Sequence, residues 1–237
     1  MKALVVSALS PDLSGTAIAD VPEPASAPGK VLVRVKAASL NYPDLLMTRG
    51  EYQLKPPLPF TPGMEVAGEV IAGDGFAPGA AVVGGTRLGG FAEIVSVDAA
   101  AVRPKPAHLS FAEAASVGTA YLTAYVALVR LGMAQAGEWA LIHGATGGVG
   151  LAAVDLAKAL GCRVIAASRS AEKLAVVARD YAPDATVTTP GFREAVKEIT
   201  GGGADLIYDP VGGDVFDEST RCIAFGGRLL VVGFTSG

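Results

Sequence analysis

The residues best suited to chemistry form one short stretch, Gly144-Ala145-Thr146-Gly147-Gly148-Val149-Gly150. An apolar run, Trp139-Ala-Leu-Ile-His143, leads into it. From Val149 to Leu160, apolar residues then recur at spacings of three and four. A Gly-rich turn between a strand and a helix lets the backbone approach an anion closely. The free N–H groups and positive dipole end of the helix then face that anion. The turn reads as a cradle for a dinucleotide pyrophosphate, with Ala145, Thr146, Gly147, Gly148 and Val149 as contact residues. In a chain with 30 glycines a bare GxxG means little, so the flanking strand and helix carry the argument. A tight structural turn is the plain alternative.

The end of the following strand selects the dinucleotide. NAD sites place Asp or Glu about 20 residues downstream, against the ribose 2′-hydroxyl. Here the position holds Ser168, followed by Arg169, Ser170 and then Lys173. No carboxylate repels a 2′-phosphate, and two cations with two hydroxyls can meet one, which points to NADPH. The alternative for Arg169 and Lys173 is a pair of solvated residues at a helix start.

Two kinds of sequence must position these groups. From Met1 to about Pro106 the chain is punctuated by Pro and Gly. Short alternating runs such as Val31-Leu-Val-Arg-Val-Lys-Ala, Glu65-Val-Ala-Gly-Glu-Val-Ile and Phe91-Ala-Glu-Ile-Val-Ser-Val predict a mostly antiparallel barrel-like half. At Ser110-Phe-Ala-Glu113 a capping box opens a helix expected to run to about Arg130. Beyond it come helices near 171–181 and 192–200 and strands near 163–167, 185–188, 204–208 and 228–232. That alternation predicts an α/β parallel sheet. The expected division is 1–120 for the first domain and 121–237 for the second.

The totals exclude more than they assign. A net charge of −4, without a Lys/Arg cluster, gives no reason to seek nucleic acid or an anionic membrane. No uninterrupted apolar run reaches the roughly 18 residues that span a bilayer. Two cysteines, Cys162 and Cys222, cannot build a disulfide framework, and Met1-Lys-Ala-Leu-Val-Val reads as a strand and not as a leader. The expected setting is cytoplasmic.

Several motifs together resemble the zinc-independent NADPH:quinone oxidoreductases of the medium-chain dehydrogenase/reductase superfamily. They are Asn41-Tyr-Pro-Asp-Leu-Leu-Met, Gly50-Glu-Tyr52, Pro59-Phe-Thr-Pro-Gly-Met-Glu-Val-Ala-Gly68, Gly90-Phe-Ala-Glu93, Thr123-Ala-Tyr-Val-Ala-Leu and His143-Gly-Ala-Thr-Gly-Gly-Val-Gly150. Asp209-Pro-Val-Gly-Gly and Leu229-Leu-Val-Val-Gly-Phe234 continue the likeness. It implies a GroES-like barrel joined to a Rossmann domain. It also implies metal-free hydride delivery from NADPH to a quinone or an α,β-unsaturated carbonyl (enone). A 2-enoyl thioester reductase and a cofactor-binding protein without turnover are the competing readings.

The resemblance names Tyr52 and Asn41 as candidate catalytic residues, Tyr52 as hydrogen-bond or proton donor and Asn41 as donor to substrate or support for the nicotinamide. Tyr52 as a loop aromatic that shapes the pocket is the rival reading. Thr123 and Phe234 would lie on the nicotinamide side of the cofactor. Asp44 reads as structural, Met64 and Glu65 as packing, and His143 as a packed, hydrogen-bonded histidine. No metal is expected, because the zinc-dependent relatives' Cys and His are replaced by Asn41 and Asp44. The family continues for most of another hundred residues, with a sixth strand that builds a homodimer. The sequence stops at Gly237 before that strand, either as a fragment or as a short natural product, so the family's homodimer is not carried over to it.

Overall fold

A computed structural model describes residues 1–236 of the chain, which forms two compact units, Met1–Thr119 and Ala120–Gly237. The first unit begins with a two-stranded antiparallel ribbon, β1 (Lys2–Val6) and β2 (Thr16–Asp20). Its main sheet takes β3 (Lys30–Ala38), β4 (Glu65–Gly73), β5 (Ala81–Gly85), β6 (Ile94–Asp98) and β7 (Val102–Pro104), in the order β6-β3-β4-β5-β7. Every pairing is antiparallel, as the alternating sequence predicts. The buried cluster on one face is all valine: Val31, Val33, Val66, Val70, Val82, Val95, Val97 and Val102. Fully burying each such side chain contributes on the order of 1.5–3 kcal/mol.

The sequence reading passed over α1 (Tyr42–Arg49). Asn41 stands at its N-cap with extended backbone, a proline follows in the first turn, and Gly50 ends it at φ 72°. Asp44 is buried and its two carboxylate oxygens accept from the Asn41 N–H (2.9 Å) and the Gly63 N–H (3.0 Å). Burial pushes its carboxyl above the usual range, with Glu65 nearby adding to the rise.

The unit boundary falls inside α2 (Phe111–Tyr125), which continues as a wider π-type helix over Val126–Leu131. Its start carries both halves of the expected capping box: Ser110 N–H donates to Glu113 (2.8 Å) and Glu113 N–H to the Ser110 hydroxyl (3.2 Å). The helical span Phe111–Leu131 is long and apolar enough, by length and composition, to cross a membrane. Scattered Ser, Thr and Gly break the apolar run in the sequence, so the span shows only once the helix is formed. Ala114 and Ala115 pack on Ala67 in the first unit, and Ala124, Ala127 and Leu128 lie in the core of the second.

The second unit is wound about a parallel sheet of β8 (Trp139–Ile142), β9 (Arg163–Ser168), β10 (Ala185–Thr188), β11 (Ala204–Asp209) and β12 (Ile223–Val231). Their order is β10-β9-β8-β11-β12, and each pairing is parallel. Helices α3 (Gly148–Ala159), α4 (Ala171–Tyr181), α5 (Phe192–Thr200) and α6 (Asp214–Ser219) connect these strands. Ala140, Ile142, Leu206 and Tyr208 face the α3 side, while Leu141, Ile165 and Ile207 face α5. Strands buried on both faces read as continuous apolar runs, which is why they were legible as short solid blocks. The order reverses between β8 and β11, so a topological switch point opens at their C-terminal ends.

Candidate nucleotide site and an anchored asparagine

The turn after β8 delivers the chain to α3 at that switch point. Ala145 is fully buried and its N–H is bonded to the Ala167 carbonyl (3.1 Å), so it supports the turn from beneath. Gly147 N–H closes the turn on the Gly144 carbonyl (2.9 Å). Gly147 is the N-cap of α3 and supplies no side chain to cap it, so among the described residues no side chain caps the N–H groups of the first helical turn. Gly148 is exposed and a β-carbon there would meet nothing within 4 Å. Gly150 is the opposite case, since its β-carbon would lie 2.1 Å from the Gly144 carbonyl oxygen. One glycine keeps the helix against the strand; the other leaves open the space that an anion would fill. Val149 is half-buried on the core of this unit.

At the end of β9, Ser168 is 8% exposed and its hydroxyl pairs with that of Thr146 (2.9 Å). Thr146 and Ser168 are thereby brought together across the turn. Ser170 is the N-cap of α4, its hydroxyl accepting the Lys173 N–H (3.2 Å). The side chains of Arg169 and Lys173 are exposed, and neither forms an ion pair among the described residues. They are available to an anionic group beside Ser168.

Beneath the switch point His143 is buried. Its Nε2 meets the Ser219 hydroxyl at 2.8 Å, and that hydroxyl donates to the Val215 carbonyl (2.7 Å). Nε2 therefore carries the proton. Phe192 presents its ring edge-on at 4.7 Å. Burial lowers the His143 pKa to about 4, against the pull of Asp209. This is a packed, neutral histidine. Asp209, fully buried, accepts the Val211 and Gly212 N–H groups at 2.8 and 3.0 Å. It fixes the loop toward Phe234, a residue 71% exposed.

In the first unit Tyr52 is half-buried and packs on Val6, Met47 and Phe60. Asn41 belongs to a different constellation, centred on a residue that the sequence reading gave to packing alone. Glu65 is 5% exposed and accepts three hydrogen bonds: Ser39 Oγ (2.6 Å) and Asn41 Nδ2 (3.1 Å) on Oε1, and the Thr119 backbone N–H (2.6 Å) on Oε2. A β-carbon on Gly118 would stand 2.6 Å from Oε2, so the missing side chain there admits the carboxylate. The one available signal was an acidic residue inside an otherwise apolar strand, Met64-Glu-Val-Ala-Gly68. Thr123 lies in the second unit's part of α2, half-buried.

Zinc does not fit the donors. Asp44 and Glu65 have both oxygens engaged, and no group of three or more His, Cys, Asp or Glu among the described residues could hold a metal. Cys162 and Cys222 are buried and unpaired.

Residues 27–107 match the family described as "Alcohol dehydrogenase GroES-like domain", and residues 148–237 that described as "Zinc-binding dehydrogenase". A quinone oxidoreductase-like protein 2 homolog from Nematostella vectensis is 40% identical over 217 residues, covering 88% of this chain and 59% of its own length. The chain thus spans less than two thirds of this curated relative. A probable oxidoreductase from Mycobacterium abscessus superposes with a TM-score of 0.92 at 42% identity, over 98% of this chain and 74% of that one. The quinone oxidoreductase of Thermus thermophilus, solved also as its complex with NADPH, gives 0.84 at 38% identity, over 97% and 72%.

Proposed function

The chain belongs to the quinone oxidoreductase family of the medium-chain dehydrogenase/reductase superfamily, and from that premise we propose that it is part of an NADPH-dependent reductase of quinones or enones. The observation that carries the reading is the N-terminus of α3, which no side chain caps, beside the open face of Gly148. Bound there, a nicotinamide dinucleotide would supply the hydride. The first-turn N–H groups of α3 would hold its pyrophosphate, the Thr146–Ser168 hydroxyl pair its adenine ribose, and Arg169 with Lys173 a 2′-phosphate. The NADPH complex of the Thermus relative supports the choice of nucleotide.

The chain's own share in the chemistry is placement and electrostatics. Reduction of a quinone or enone builds charge on the substrate oxygen, and a phenol such as Tyr52 supplies the donor for it. The hydrophobic seat of Tyr52 on Met47 and Phe60 limits the directions its hydroxyl can take.

Calorimetric titration with NADPH and NADH, followed by NADPH oxidation over quinone, enone and crotonyl-thioester panels, tests this. The expected result is tighter NADPH binding, with turnover on quinones or enones. Trp139 is a poor reporter, because it begins β8 and so lies about 13 Å of strand away from the turn. Replacing Arg169 and Lys173 together by alanine is expected to remove the preference for NADPH while sparing NADH. Equal affinity for both nucleotides in the unaltered chain would overturn the assignment.

A further inference from the structure

His143 follows β8 and Asp209 ends β11, and these two strands are neighbours in the parallel sheet. The His143 N–H donates to the Tyr208 carbonyl (3.0 Å), which keeps the pairing going to the strand ends. Side chains alternate along a strand. His143, two residues after Leu141, and Asp209, two after Ile207, therefore take the α5 face that Leu141 and Ile207 share. Both are buried, at 1% and 0% exposure, and the Asp209 charge acts on the imidazole.

Each carries one buried polar atom without a partner among the described residues, Nδ1 on His143 and Oδ2 on Asp209. Asp209 spends Oδ1 on the Val211 and Gly212 N–H groups and enters no ion pair among those residues. The single proton of the Ser219 hydroxyl goes to the Val215 carbonyl, so the neutral imidazole carries its proton on Nε2 and Nδ1 is a lone pair. Two acceptors thus share one interior face, and neither can satisfy the other. Tyr208, the adjacent residue with a hydroxyl to give, packs on the opposite, α3 face.

We infer that His143 Nδ1 and Asp209 Oδ2 form a binding site for one internal water molecule, which donates one proton to each. Water has the two donors this pair calls for, and buried waters typically serve polar groups that the chain leaves unmet. A hard cation calls for several oxygen ligands, whereas this pair offers one carboxylate oxygen and one ring nitrogen. The water completes a chain of hydrogen bonds from α6, through Ser219 and His143, to Asp209 and the Val211–Gly212 loop. The end of β8, from which the glycine turn springs, is thereby tied to the loop after β11. The site is independent of the reductase reading, since it needs neither nucleotide nor turnover.

A high-resolution crystal structure of the unaltered chain reads the site directly. An ordered water within hydrogen-bond distance of both Nδ1 and Oδ2 is expected. No density between them, or a hydrogen bond joining the two side chains themselves, would overturn the inference. Nitrogen NMR of the His143 ring gives a second reading in solution. Nε2 is expected to show coupling to a bound proton and Nδ1 none, with a cross-peak from a long-lived water to the ring; a proton on Nδ1 contradicts the assignment. Melting temperatures in equal concentrations of sodium, potassium and ammonium chloride are expected to agree, and a rise specific to one cation, lost in Asp209→Asn, would give the site to that cation instead. In His143→Phe the water is expected to vanish from the density. Its retention there would show that Asp209 holds it alone, and the paired site would fall.

Discussion

A β-carbon on Gly150 would press on the Gly144 carbonyl oxygen at 2.1 Å, and one on Gly148 would meet open space. Gly150→Ala is therefore expected to destabilise the fold by roughly 1–3 kcal/mol, read as a lower denaturant midpoint. Gly148→Val should leave that midpoint within about 1 kcal/mol and weaken nucleotide binding at least about tenfold, since its methyls occupy the phosphate space. A weakened fold at Gly148 or an unweakened ligand would contradict this division of labour. His143 makes a pH prediction. Its pKa is about 4 when folded, below the 6.5 of the free side chain, so the unfolded chain takes up a proton first as pH falls. Its contribution is whole above pH 6.5 and declines between 6.5 and 4, by about 3 kcal/mol in all. Chemical denaturation across that window should show the decline, and His143→Gln should flatten it.

Two neighbouring helices end differently, and the difference separates structure from binding. Helix α4 is capped by Ser170, while α3 begins on glycine with no side-chain cap. Ser170→Ala is expected to cost about 1 kcal/mol of stability by thermal melting, without changing the ranking of NADPH over NADH. Both helices were legible, because Ser and the Gly-rich turn are start signals that a sequence carries openly. Helix α1 was not, although Asn41 and the following proline mark its start, because the Pro- and Gly-punctuated half reads as strands. β12 starts at Ile223, five residues before the strand read from sequence, since two glycines at 226 and 227 interrupt the apolar run. The register with β11 shifts there, between Ala204 and Leu206.

The whole molecule carries a charge of −4, so its overall field opposes an anionic nucleotide and attraction must come from local groups. Raising salt from about 0.05 to 0.5 M should therefore narrow the preference for NADPH over NADH by screening Arg169 and Lys173, both exposed. An unchanged ratio would argue for a neutral hydrogen-bonded basis of selection. Across the chain, the sequence revealed what depends on local period and punctuation: the antiparallel half, the parallel half and the glycine turn between β8 and α3. It did not reveal the Glu65 constellation, because Ser39 with Asn41, Glu65 and Thr119 come from three separate segments. Only folding shows that one carboxylate gathers them. Tyr52 shows the same limit, its packing partners being drawn from Val6 to Leu88.

The bare start of α3 has a practical consequence. Helix-start donors that no side chain caps make ligand binding visible as heat tolerance: a ligand that binds only the folded chain adds about 2.7 kcal/mol at a hundred times its dissociation constant. A library of anionic nucleotides can thus be ranked by melting shift alone, before any substrate is known and whether or not the chain turns one over.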